Sequence, residues 1–330
     1  MQPASSVFDP SGAAQALAPL LASGGEGQVF PLASKPEILV KQYHPEVLQK
    51  RGAALRAKAE AMIGMGERFS APCLSWPRMS VFDAKGQWIG YAMRRAQGRP
   101  MAHMAHAVAY HKHFPGLDRI QIAGYMLSLL QAVRSLHRAG VCIGDYNFNN
   151  VLCTPGSAEV TLIDCDSYQL QHGGRTYPCP VGSPDMTPLE HHGKAFEQIV
   201  RNEHSERFSL AIMLFKCLML GRHPYDICGG EDPVSNLRAG QFAYGMGHRG
   251  IPAGHWYNIW SHMSHRLKEM FIATFTQGAK DPSRRPSLED WGQALSVYLS
   301  EMKKGWHDVA IRPAQPKSNS YRGARSQPGA

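Results

Sequence analysis

The chain has 330 residues, 43% hydrophobic and 18% charged, with a formal net charge of +9; this balance can bury a sizeable core and excludes a disordered polymer. No apolar run reaches the roughly 18 to 20 residues of a membrane span, and the start MQPASSVFDP lacks the basic-then-apolar pattern of a secretory leader. Seven scattered cysteines without a CxxC pair argue against a disulfide framework or a zinc site. The 16 histidines, among them His103, His106, His111, His113, His191 and His192, include no pair at metal spacing beside a carboxylate.

A cytoplasmic location without membrane attachment is therefore expected. The basic balance comes without aromatic-basic interleaving or a DNA-binding motif, so no specific nucleic-acid partner is expected.

In chain order, Gln28–Phe30 follows a glycine cluster and Glu37–Tyr43 is a β-rich run, both reading as strands. Leu48, Leu55, Ala59 and Met62 then recur at helical spacing between Pro45 and Gly64, with Pro45 suited to a first turn. Met79–Phe82 and Trp88–Met93 are further strand runs joined by a turn at Asp83–Gly86. After about Gly98 long helical patterns take over: Ile120–Ala139, Phe208–Leu220, Ser264–Thr276 and Ser287–Met302. The short strand runs Val151–Leu152 and Val160–Ile163 lie between the first two, with a long irregular loop after them.

These elements predict an α+β fold in which a β-rich small lobe is hinged to a mainly helical large lobe. Residues 1–15 form an N-terminal extension, 16–98 the small lobe, 99–304 the large lobe and 305–330 a basic Pro/Gly/Ser-rich tail expected to be disordered.

Three groups of residues carry candidate chemistry. Leu21–Val29 sets Gly24, Gly25 and Gly27 between two strands, where backbone can lie close over phosphates; an ordinary glycine-rich hairpin has the same pattern. Lys41 lies in the apolar strand run Ile38–Lys41, and a buried lysine there requires an anionic partner, whereas a surface lysine would only snorkel. Glu60 on the following helix is the candidate partner, with Glu46 and Glu67 as rivals. The third group is Ile143–Leu152, just past a helix end, where Asp145 and Asn150 share a loop that enters a strand; Asp164 follows fourteen residues beyond Asn150. That order supplies one carboxylate for a hydroxyl proton and an amide plus a carboxylate for a metal ion, although Asp and Asn also serve simply as turn formers.

These stretches resemble the eukaryotic-like protein kinase superfamily. The sequences Gly144–Asn150, Ile163–Gln169 and Cys179–Pro184 resemble more narrowly the bacterial kinases found with von Willebrand A and PP2C-type phosphatase partners. The match runs from about Leu21 to Leu299. It implies a serine/threonine protein kinase acting on a protein substrate, with those two partner types, and with ATP and Mg2+, or Mn2+, as cofactors. On this reading Asp145 is the catalytic base, Lys41 anchors phosphates, and Asn150 and Asp164 hold metal. Ala22, Gly24, Gly25, Gly27, Val29, Lys41, Glu60 and Met93 contact nucleotide.

Further landmarks match the same family. Gly182–Glu190 resembles the end of an activation segment, Glu206–Leu210 the start of the central helix of the large lobe, and Asp281–Ser287 a terminal arginine motif, with Glu190 and Arg285 implied as a buried ion pair.

The chain departs from the family pattern at four places. Ala22 replaces the first loop glycine. Ile143–Gly144 replaces the His-Arg before the catalytic aspartate, which removes the arginine that meets an activation-loop phosphate. Asn147 stands where a lysine is usual. Asp166 replaces a glycine and adds a carboxylate that either attends a second divalent ion or accepts a loop hydrogen bond. A small-molecule phosphotransferase and a nucleotide-binding pseudokinase scaffold are the alternative functions, and the tail leaves open whether the chain is part of a longer protein.

Overall fold

The computed structural model describes residues 6–66, 73–245 and 249–317. It is a mixed α+β arrangement, consistent with a bilobal kinase-like fold. The first half builds a seven-stranded antiparallel sheet from β1 (Ser6–Phe8), β2 (Ala14–Ala16), β3 (Ala22–Ser23), β4 (Gly27–Pro31), β5 (Ile38–Tyr43), β6 (Pro77–Phe82) and β7 (Trp88–Arg94), in the order β2-β1-β6-β7-β5-β4-β3. Helix α1 (Pro45–Gly64) crosses one face, with Pro45 in its first turn as the sequence predicts.

Strand alternation divides the labour of the two faces. Leu39, Tyr43, Tyr91 and Met93 pack with Ala59 of α1 on one side, while Val40, Val81 and Ala92 pack on the other. Val7 covers that second side at 1% exposure. The segment 1–15, expected as an extension outside the small lobe, is from residue 6 onward part of its sheet. A lobe boundary at residue 16 would cut the β1–β2 hairpin.

The second half begins with β8 (Arg99–Pro100) and continues with α2 (Arg119–Arg138), β9 (Val141–Cys142), β10 (Val151–Cys153) and β11 (Val160–Leu162). Then come β12 (Gln169–His172), β13 (Arg175–Tyr177), α3 (Glu203–Leu218), α4 (His265–Phe275) and α5 (Leu288–Lys303). Part of the stretch expected as an irregular loop after Ile163 is thus the β12–β13 hairpin, turned by Gly173 and Gly174 at positive φ.

Helix α3 starts five residues before the predicted Phe208. Asn202 and Ser205 form a reciprocal capping box, and its polar first turn hides the start from apolar periodicity. Ser287 and Asp290 cap α5 in the same way. One large core, centred on α2 and α3, holds this part together. Among the described residues no helix is long and apolar enough to cross a membrane.

The tail also departs from expectation. Residues 305–317 lie against the helical part: Arg119 N donates to the Val309 carbonyl at 3.0 Å, Ile311 is 7% exposed, and the Asn258 amide reaches the Pro313 carbonyl at 3.1 Å. Polar composition conceals the few apolar anchors that dock this segment. Residues 318–330 fall outside the described part.

Candidate active site

The sheet brings Lys41 to the helical half. Val29 pairs with Lys41 across β4–β5, and Tyr91 flanks it from β7. The Lys41 Nζ donates to Asp164 Oδ1 at 2.6 Å and to both Asp166 oxygens at 2.9 and 2.8 Å, and the Tyr43 hydroxyl donates to Asp166 Oδ2 at 2.5 Å. Burial by itself lowers the Lys41 pKa, yet the charges of Asp166 and Asp164 outweigh it and raise the ammonium well above its usual value. Burial opposes ionisation of Asp166 too, but Lys41 and Tyr43 hold its carboxyl far below the usual range. Asp164 differs, because burial and the neighbouring Asp166 raise it against the pull of Lys41.

Lys41 does not meet Glu60. The inward positions of α1 are Lys58, Ala59, Ala61 and Met62, so Glu60 falls on the exposed side and pairs with Arg56 at 2.8 Å. Glu46 is exposed and Glu67 lies outside the described residues. The counter-ion is Asp166, whose carboxylate is taken up by Lys41 and Tyr43 rather than by a loop backbone group as expected. Lys41 and Tyr43, two apart on one strand face, meet a carboxylate two residues beyond Asp164, a pairing that only the fold reveals.

The β10–β11 ribbon brings the backbones of Asn150 and Asp164 to the same end: it pairs Val151 with Leu162 and continues with Ile163 N donating to the Asn150 carbonyl at 2.9 Å. Asp164 holds a left-handed backbone at φ 57°, a conformation that an L-residue keeps only where its surroundings enforce it. Its side chain is 45% exposed, which leaves it accessible from the cleft.

Asp145 sits on the loop between β9 and β10. Its Oδ1 is buried and has no hydrogen-bond partner among the described residues. Burial raises its pKa, Arg201 partly offsets that, and Asp164 and Asp185 push it further up. The loop is fixed from beneath by Glu206, which is 2% exposed. Its carboxylate accepts from Ile143 N at 2.8 Å, Gly144 N at 2.9 Å and the Tyr146 hydroxyl at 3.0 Å. The sequence places Glu206 at a helix start but not under this loop. His137, Cys142 and Glu206 are close enough to share a metal ion, yet the Glu206 oxygens are already occupied by these three donors. Asn147 caps the turn that follows it, its side-chain oxygen accepting from Asn149 N at 2.9 Å.

The glycine loop is a hairpin. Ala22 pairs with Val29, and Gly24 N donates to the Gly27 carbonyl at 2.9 Å. A Cβ on Gly27 would lie 2.2 Å from the Gln42 carbonyl oxygen, so that glycine serves strand approach, while Gly24 and Gly25 face open space. Met93 is buried on the sheet face that carries Lys41. Away from the cleft, Arg285 forms the expected fork with Glu190 at 2.6 and 2.8 Å. The largest cavity described, about 1020 Å³, opens among α4, α5 and the docked tail and includes none of the cleft residues. Chemistry rather than volume marks the candidate site.

No family model matches the chain. Over 311 residues it is 26% identical to protein kinase YegI of Escherichia coli strain K12, covering 90% of this chain and 47% of that protein. Over 297 residues it is 26% identical to protein kinase YegI of Escherichia coli O157:H7, covering 86% and 45%. The chain therefore spans a little under half the length of these relatives. The similarity supports a kinase-like function.

Proposed function

We propose that the chain is an ATP-dependent protein kinase that transfers the γ-phosphate to a serine or threonine hydroxyl of a protein. The observation that carries this reading is the meeting of Lys41 with Asp164 across 123 residues of sequence, at 2.6 Å, on a ribbon that also carries Asn150. Lys41 anchors the α- and β-phosphates, and Asp166 remains its buried counter-ion when Asp164 engages elsewhere. Asp145, with one buried carboxylate oxygen unsatisfied, accepts a hydrogen bond from the acceptor hydroxyl and orients it for in-line attack.

A half-exposed carboxylate at the end of the ribbon that carries Asn150 suits a hard divalent cation, so Asn150 and Asp164 are the residues that would hold Mg2+ or Mn2+. When bound, that ion neutralises phosphate charge. Glu206 keeps the Asp145 loop rigid, which limits the reorganisation needed during transfer.

The test compares Asp145→Asn with Asp164→Asn. Both should lower transfer of labelled phosphate to a generic basic protein by a factor on the order of 10² or more. Asp164→Asn should also weaken Mg-ATP binding, whereas Asp145→Asn should bind Mg-ATP as the wild type does. An Asp145→Asn protein that keeps most of its rate would sink the mechanism, and label moving only to small amino-sugars would replace the protein acceptor.

A further inference from the structure

Gly144 stands where the resemblance leads one to expect an arginine, and the structure shows what occupies the space. Gly144 has φ +75°, and a Cβ there would lie 2.7 Å from Arg201 Nε and 2.7 Å from Cys179 Sγ. The Arg201 side chain thus fills the position behind the catalytic loop, coming from the segment just before α3. It is 6% exposed, and its charge acts on Asp145 without a hydrogen bond between the two side chains.

Its guanidinium instead donates to main-chain carbonyls of the segment between β13 and α3: Cys179 at 2.8 Å, Val181 at 3.0 Å and Phe196 at 3.4 Å. Its own backbone is pinned by Gln169 of β12, whose amide accepts from Arg201 N at 2.8 Å and donates to the Arg201 carbonyl at 2.8 Å. From the other side the buried Lys58 of α1 donates to the Pro178 carbonyl at 2.9 Å.

We propose that Arg201 is a positioning residue that ties residues 179–196 to the catalytic loop and holds the acceptor-binding segment in order without any phosphate. A phosphate-reading arginine waits for an added anion. Arg201 already commits three of its donors to carbonyls of the segment it holds, and those bonds, with the more distant charge of Asp145, compensate its burial. Gly144 is the complementary requirement, because any side chain there would displace the guanidinium. The proposal rests on the phosphotransfer reading above and specifies how that site is regulated.

Hydrogen exchange on the full chain tests it, using wild type stripped of phosphate and checked by intact mass, Arg201→Gln and Arg201→Lys. Peptides covering 183–199 should stay protected in the dephosphorylated wild type and exchange at least roughly tenfold faster in Arg201→Gln, the effect of losing one of its three charge-assisted hydrogen bonds being the lower bound, with α3 unchanged. The same variant should raise KM for the protein acceptor while Mg-ATP affinity holds, and Arg201→Lys, which keeps the charge and one bond, should recover part of both changes.

Loss of protection in dephosphorylated wild type, or wild-type exchange in Arg201→Gln, would overturn the tie. Should Arg201→Gln lose protection everywhere, the dephosphorylated wild type decides alone. Exchange does not depend on turnover, so absence of transfer by wild type would remove the kinase reading and leave the exchange result standing.

Discussion

Two buried ion pairs join distant parts of this chain, and they are built to opposite specifications. Arg285 has a fully buried side chain, and its donors go to both oxygens of Glu190 and to the carbonyls of Gly278 and His204. Lys41 is almost as buried, yet it divides itself between a sequestered Asp166 and a half-exposed Asp164 with a strained backbone and a raised pKa. A buried charge bound by both oxygens of one carboxylate and by two main-chain carbonyls holds structure together. A charge that shares a carboxylate with open solvent is poised to exchange it for something else.

Replacing Lys41 with methionine should separate the two designs most sharply. It should abolish transfer and, because Asp166 would stay buried without its cation, also cost about 3 kcal/mol of stability at neutral pH. In the wild type, Asp166 contributes stability above its ordinary value that is lost as pH falls, so the gap between the two proteins should narrow in acid. Lys41→Met combined with Asp166→Asn should regain stability but not activity. Denaturant titrations in which Lys41→Met matches wild type would break the contrast.

Glu190→Ala should unfold the helical part more readily, by about 3 kcal/mol, the low end for breaking a buried pair because Glu190 keeps a third of its surface wet. Burial opposes ionisation of Glu190, but Arg285 outweighs it and lowers the carboxyl below 4.5. The contribution of the pair is therefore full above that value and fades as pH drops through the depressed pKa. Thermal unfolding from pH 7 down to pH 3 should show the two proteins converging, and parallel curves would disprove the link.

Removing residues after Lys304 should lower the melting temperature by several degrees, since Ile311 and the Val309 carbonyl leave partners behind on α2 and in the main core, about 2 kcal/mol in area and hydrogen-bond terms. An unchanged melting curve would mean that the segment contributes nothing. Glu60→Gln should do least of all, within about 0.5 kcal/mol and with normal turnover, because its partner among the described residues is the exposed Arg56. A large loss of activity in Glu60→Gln would restore it as the partner of Lys41.

The sequence is most readable where one physical rule acts alone. The helix Pro45–Gly64 is legible from its proline and its apolar spacing, and the order of Asp145, Asn150 and Asp164 along the chain is enough to propose the site. It is least readable where the decisive neighbour is remote. Nothing near Lys41 indicates that Asp166, 125 residues later, displaces Glu60. Nothing near Gly144 points to Arg201, and nothing near Ile143 points to Glu206. Val7 and Ile311 are misjudged for another reason: each is an isolated apolar residue in a polar terminal stretch, and composition averages it away.

The seven thiols bring a practical consequence. Cys165 lies between the two aspartates that meet Lys41 and is buried, as are Cys142, Cys153, Cys179 and Cys217; burial raises the pKa of each of these five thiols, Cys73 is half-covered, and Cys228 alone is exposed. Brief treatment of the native protein with a bulky maleimide should therefore mark Cys228 first, on the helical side. A single dye there would give an optical reporter without introducing or deleting any cysteine.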